Sequence, residues 1–182
     1  MSRILSKNFK KSKKMSGLQI VVTWLFFLFN DGNLPNNNSL TLSYGALQTD
    51  KGDYSSPFSN QNKAYDATLQ FKPHENLRGI RYGTSAFYTE SGTVMIGGGI
   101  SKTIAFKNLE FTTLFHPSFS YIGGIDNKRT SFPINLRSSI EASYRITKHI
   151  AVGGGFTHIS NGTVTHPNNG LDIAKITASY NF

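Results

Sequence analysis

Ser131-Phe-Pro-Ile-Asn-Leu-Arg-Ser-Ser-Ile-Glu-Ala-Ser-Tyr-Arg-Ile146 is the stretch that decides the fold. Its even positions are Phe132, Ile134, Leu136, Ser138, Ile140, Ala142, Tyr144 and Ile146, whereas the odd ones include Asn135, Arg137, Ser139, Glu141, Ser143 and Arg145. Side chains alternate across a β-strand, so this pattern is a strand with one apolar and one charged face. The same period returns in Tyr65, Ala67, Leu69 and Phe71 against Asp66, Thr68, Gln70 and Lys72. It returns again in Leu109, Phe111, Phe115, Phe119 and Tyr121 against Glu110, Thr112, His116, Ser118 and Ser120. No comparable stretch favours the helical period. The alternation predicts strands over 39–49, 64–73, 77–90, 93–106, 108–122, 132–146, 149–160 and 171–182, with Gly97-Gly98-Gly99 diluting the signal.

Two architectures suit such strands: a soluble barrel or sandwich with its apolar face inward, or a membrane barrel with that face outward. Strands of about ten residues or more exceed the usual five or six of soluble sheets and reach across a bilayer at a tilt. Arg137, Glu141 and Arg145 on one face suit a narrow interior of paired charges. Connections alternate between long, at 50–63, 123–131 and 161–170, and short, near 74–76, 107 and 147–148. The chain runs to Ile176-Thr-Ala-Ser-Tyr-Asn-Phe182, an alternating strand with a final aromatic that resembles the C-terminal signal of bacterial outer-membrane proteins. The expected fold is an eight-stranded antiparallel transmembrane β-barrel of the bacterial outer membrane.

Composition agrees. The 182 residues carry no cysteine, which excludes thiolate metal sites and a cysteine nucleophile. The formal charge of +9 looks like a nucleic-acid signal until it is located. Arg3, Lys7, Lys10, Lys11, Lys13 and Lys14 precede the first acid, Asp31, and only a small basic excess is spread over the rest. Nucleic acid is therefore not the expected partner. The cationic start runs into Leu18-Gln-Ile-Val-Val-Thr-Trp-Leu-Phe-Phe-Leu-Phe29, the order of a secretory signal peptide, expected over 1–30 with the barrel over 31–182.

With both ends of the barrel periplasmic, the seventh and eighth expected strands meet in a loop at the cell surface. Parity then exposes an anomaly. Ile150, Val152 and Phe156 define the apolar register of the seventh strand, and His158 and Ser160 continue it; Phe182, Tyr180, Ala178, Ile176 and Ala174 lead to Asp172 on the eighth. A polar group facing hydrocarbon costs free energy, so these residues point to function. Two residues apart on a strand, His158 and Ser160 lie about 7 Å apart at the backbone, and cross-strand pairing brings Asp172 to about 5 Å between Cβ atoms. The set is that of a serine esterase: Ser160 as nucleophile, His158 as general base and acid, Asp172 orienting the imidazole. Asn161, Gly162 and Asn168 in the adjoining loop offer oxyanion donors, each worth about 3 to 4 kcal/mol. The three glycines Gly153-Gly154-Gly155 suggest a groove for an acyl chain beside His158.

The residues His158-Ile-Ser160-Asn161 and Pro167-Asn168-Asn169-Gly170-Leu171-Asp172 resemble the motif of the outer-membrane lipid A 3-O-deacylases of PagL type. That family has His-x-Ser-Asn, then Pro-Asn-x-Gly, with an acid fourteen positions after the histidine, and the spacing matches here. The resemblance implies a Ser-His-acid triad on the lipid-facing exterior and release of the 3-linked acyl chain from lipid A without a metal or other cofactor. It also implies lipopolysaccharide as substrate and the outer leaflet as the working surface. The family's acid is usually glutamate. Asp172 is one methylene shorter, about 1.5 Å, so either the hairpin register compensates or the orienting contact weakens.

Other readings stay open. His158, His166 and Asp172 form a possible cation set, and the polar trio suits a non-catalytic structural or adhesion barrel that merely touches head groups. A phospholipid is a second candidate ester, and association of two copies is open. His74 and His149 are expected to be solvated at turns, and His116 to be a hydrogen-bonded lumen residue. Arg137, Glu141 and Arg145 are expected to form an interior ion-pair ladder.

Overall fold

The computed structural model describes residues 37–47, 63–73, 79–121, 133–161 and 170–182. Eight strands form a closed antiparallel barrel in sequence order: β1 Ser39–Leu47, β2 Lys63–Gln70, β3 Ile80–Thr89, β4 Val94–Phe106, β5 Leu109–Tyr121, β6 Ile134–Arg145, β7 Ile150–Ser160 and β8 Leu171–Asn181. Closure is made by β1 against β8, with Leu40 opposite Tyr180 and Leu47 opposite Ile173. A closed sheet leaves no unpaired strand edge, which a hydrocarbon solvent demands. The expected signal peptide over 1–30 lies outside the described residues, as does His74.

Alternation now has a direction. Large apolar side chains are turned outward and left bare, Phe119 and Tyr121 at 73% and Ile176 at 66% among them. Polar groups fill the lumen instead, where Arg137 is 1% exposed and His116 is fully buried. A surface this apolar is stable only against lipid, and it identifies the molecule as an outer-membrane barrel. The exterior aromatics gather toward the two ends, with Tyr65, Tyr88, Phe119 and Tyr121 near one and Phe71, Phe106, Tyr144 and Tyr180 near the other. Such girdles sit at the two membrane-water interfaces.

The lumen is solid. At the end carrying the long connections, Leu47, Ala64, Phe87, Met95, Ile159, Leu171 and Ile173 close it with an apolar plug. Below that plug, Asp66 pairs with Arg137 and lies 3.4 Å from Lys175 Nζ, which in turn is 2.5 Å from Glu141 Oε1. Nearer the tight turns, Arg145 Nε donates to Glu110 Oε1 at 2.9 Å. Arg137, Glu141 and Arg145 are thus all paired, although not with one another as a ladder along β6 would have it. Their partners come from β2, β8 and β5, because successive inward residues on one strand point across the narrow lumen to other walls. His116 is hydrogen-bonded as expected, Nδ1 to Ser85 Oγ at 3.0 Å. His149 differs from expectation: Nδ1 lies 2.8 Å from Asn181 O and the ring stacks on Tyr180, tying the last turn to β8.

Candidate active site

The β7–β8 hairpin positions the residues of interest through register. His158 is the direct partner of Asp172, Ile159 that of Leu171 and Phe156 that of Ala174. The inward positions Thr157, Ile159, Leu171 and Ile173 are buried, with Ile159 and Leu171 fully so, and this anchors both strands to the apolar plug. The outward positions Val152, Phe156 and Ile176 are exposed. His158, Ser160 and Asp172 therefore stand on the barrel's exterior, in the register occupied elsewhere by apolar side chains.

His158 Nδ1 and Asp172 Oδ1 are 2.7 Å apart, with the histidine side chain 12% and the aspartate 33% exposed. A carboxylate only accepts, so Nδ1 is the donor of this bond. The two residues are directly opposed, so Asp172 reaches the ring without the extra methylene of the glutamate usual in the family the motif resembles. Among the described residues, Asp172 is the hydrogen-bond partner of the ring. Ser160 lies two residues further along β7 on the same face and opposite Leu136 of β6. Contacts between a nucleophile and its base are often long without substrate and tighten when it binds.

Gly170 shapes the other side of the ring. Its φ is +69°, in the left-handed region, and a Cβ there would come within 2.8 Å of His158 Cε1 and 3.5 Å of Nε2. Only glycine both adopts that backbone and leaves the approach to Nε2 clear. Asn161 is 2% exposed and continues the lumen-facing register of Ile159 rather than the outward register of Ser160. Gly162, Asn168 and His166 lie outside the described residues.

The glycine run differs from the expected groove. A Cβ on Gly153 would meet Ala142 O at 2.2 Å and one on Gly155 would meet Ile140 O at 2.3 Å, both on the lumen side of β6. Only Gly154 faces outward, where an added Cβ meets Lys175 O at 3.0 Å. Parity explains the difference: three consecutive residues on a strand cannot share one face.

One residue escaped the sequence reading. Ser138 of β6 is the direct partner of His158, on the side away from Asp172. Its signal was the one that revealed the other three, a polar residue in the apolar register of Ile134, Leu136, Ile140 and Ala142.

Comparison with known proteins agrees with this architecture. The family model "Lipid A 3-O-deacylase (PagL)" matches residues 17–181, nearly the whole of the described barrel. No curated protein sequence matches. Among solved structures, the outer membrane enzyme PagL superposes with a TM-score of 0.53 at 14% identity, covering 78% of this chain and 97% of that one. The N-terminal β-barrel domain of Pseudomonas aeruginosa OprF gives 0.55 at 9% identity, covering 81% and 98%. Neisserial surface protein A gives 0.53 at 10% identity, covering 84% and 100%. At these identities the structural likeness speaks for the fold, and the family match carries the assignment: the chain belongs to the lipid A 3-O-deacylase (PagL) family.

Proposed function

We propose that this protein is a serine esterase that removes the 3-linked acyl chain of lipid A in the outer leaflet, with Ser160, His158 and Asp172 as its catalytic groups. The observation that carries the reading is the 2.7 Å bond between His158 Nδ1 and Asp172 Oδ1 on the barrel's exterior, with Ser160 next in the same register. The long connections face the cell exterior in this reading. The trio then sits level with the head groups and upper acyl chains of the outer leaflet, where ester bonds of membrane lipids lie.

His158 Nε2 takes the proton of Ser160 as its oxygen attacks the acyl carbonyl, and Asp172 stabilises the imidazolium that forms. The oxyanion is held by main-chain N–H groups near Asn161, with Gly162 and Asn168 as further donors. Collapse of the tetrahedral intermediate expels the sugar oxygen, which takes the proton from His158 and leaves an acyl-serine. Water then attacks that ester with His158 again as base, releasing the fatty acid and restoring the serine. Leu136, Phe156 and Ile176 line the exterior around the site and offer the acyl chain an apolar surface.

Mass spectrometry of lipid A from cells expressing the wild type and Ser160→Ala tests the reading. The wild type is expected to yield lipid A lacking one acyl chain and the variant to leave the full set. A full acyl set in both samples overturns it, and fatty acid released from phospholipid instead reassigns the substrate.

A further inference from the structure

Two small residues break the exterior on the far flank of the hairpin, where β8 meets β1. Along one row of direct partners Phe156 of β7 faces Ala174 of β8, Ala174 faces Ala46 of β1, and Ala46 faces Lys63 of β2. Phe156 is 53% exposed, whereas Ala46, although in the outward register, is only 3% exposed. The alanines floor a notch two strands wide, with Phe156 at one wall, Lys63 at the other, and Ile176 and Tyr44 in the next row below. The strand ends Ser160, Leu171, Leu47 and Lys63 mark the rim above it. Tilted strands make a row of partners climb toward that rim from β7 to β2, so Lys63 stands level with Ser160 although its row is that of Phe156.

Among the described residues, Lys63 is the one lysine or arginine on the exterior at the end carrying the long connections. Its ammonium lies 3.7 Å from Glu90 Oε1, which also accepts from the Tyr65 hydroxyl at 3.2 Å. That separation is too long for a hydrogen bond, and a surface ion pair is worth little, so the ammonium is open to a stronger partner. Swung on its four-carbon stem over Ala46, it comes within about 15 Å of Ser160, about the span of a disaccharide head with a phosphate at its far side. We propose that Lys63 is a substrate-binding residue that pairs with a phosphate on the sugar head of the lipid while the ester to be cleaved lies at Ser160. Glu90 is the resting partner that the phosphate displaces. The proposal rests on the esterase reading and adds to it the charge of the head group and its direction, from Ser160 across β8 and β1 toward β2.

Lipid A carrying its phosphates and the same lipid A dephosphorylated separate the possibilities when kcat and KM are measured with purified protein in micelles of an uncharged detergent. The wild type is expected to prefer the phosphorylated form about tenfold in kcat/KM, the weight of one charge-assisted hydrogen bond, with the difference in KM. Lys63→Gln should bring that preference close to unity, and Lys63→Arg, which keeps the charge, should retain most of it. Glu90→Gln removes the competing carboxylate and should widen the preference by about threefold. A wild type indifferent to phosphate, an undiminished preference in Lys63→Gln, or a loss confined to kcat overturns the assignment of Lys63. If folded wild type, recognised by its heat-dependent gel mobility, cleaves neither lipid, the esterase reading itself falls and takes this role with it.

Discussion

Gly170 shows how much of the site rests on a missing atom. The left-handed φ of +69° costs any L-residue about 1 to 2 kcal/mol, which a barrel can absorb. The larger effect is steric, because a methyl there would stand 2.8 Å from His158 Cε1 and must push the ring off Asp172 or away from Ser160. Displacing a catalytic group by about 1 Å costs about a hundredfold in rate. Gly170→Ala is therefore expected to fold, judged by heat-dependent gel mobility, and to lose about two orders of magnitude in kcat on a lipid ester. Wild-type rates in that variant would show that the ring does not need the space.

The hairpin strands carry this logic over their whole length. Alternation gives each glycine of the 153–155 run a different duty, and substitutions should separate them. Gly155→Leu drives a side chain into the β6 backbone, where even Cβ lies 2.3 Å from Ile140 O, and is expected to prevent the barrel from forming its heat-resistant state. Gly154→Leu projects from the barrel and is expected to leave folding intact. It should reduce activity on long-chain esters while sparing a small soluble one, since it fills exterior surface beside the site. Equal behaviour of the two variants in the mobility assay would contradict the opposed facing of these residues.

Across the barrel, the hairpin keeps its shape because the charged groups behind it are tied to one another. Asp66 holds both Arg137 and Lys175, and Lys175 holds Glu141, so charges from β2, β6 and β8 form one buried set beneath the plug. Removing one partner of a buried pair leaves an uncompensated charge and costs about 3 to 5 kcal/mol. Arg137→Ala is expected to lower the urea midpoint of unfolding by an amount corresponding to that range. Arg137→Met combined with Asp66→Leu should recover much of the loss, because two apolar groups remove the charge together with its partner. A single variant as stable as the wild type would show that the network contributes nothing to the barrel.

Composition and parity alone were enough to read a closed membrane barrel, its strand order and the exterior location of His158, Ser160 and Asp172. Period two is a local property: a strand's faces follow from its own residues whatever it pairs with. Pairing itself is not local. The opposition of His158 and Asp172, which makes an aspartate long enough, depends on hairpin register, and so do the position of Ser138 beside the ring and the clearance left by Gly170. The lumen partners of Arg137, Glu141 and Arg145 come from strands distant in sequence, and a ladder drawn along β6 could not find them. Alternation along one strand says which way a side chain faces; only closing the sheet into a cylinder says what it meets there.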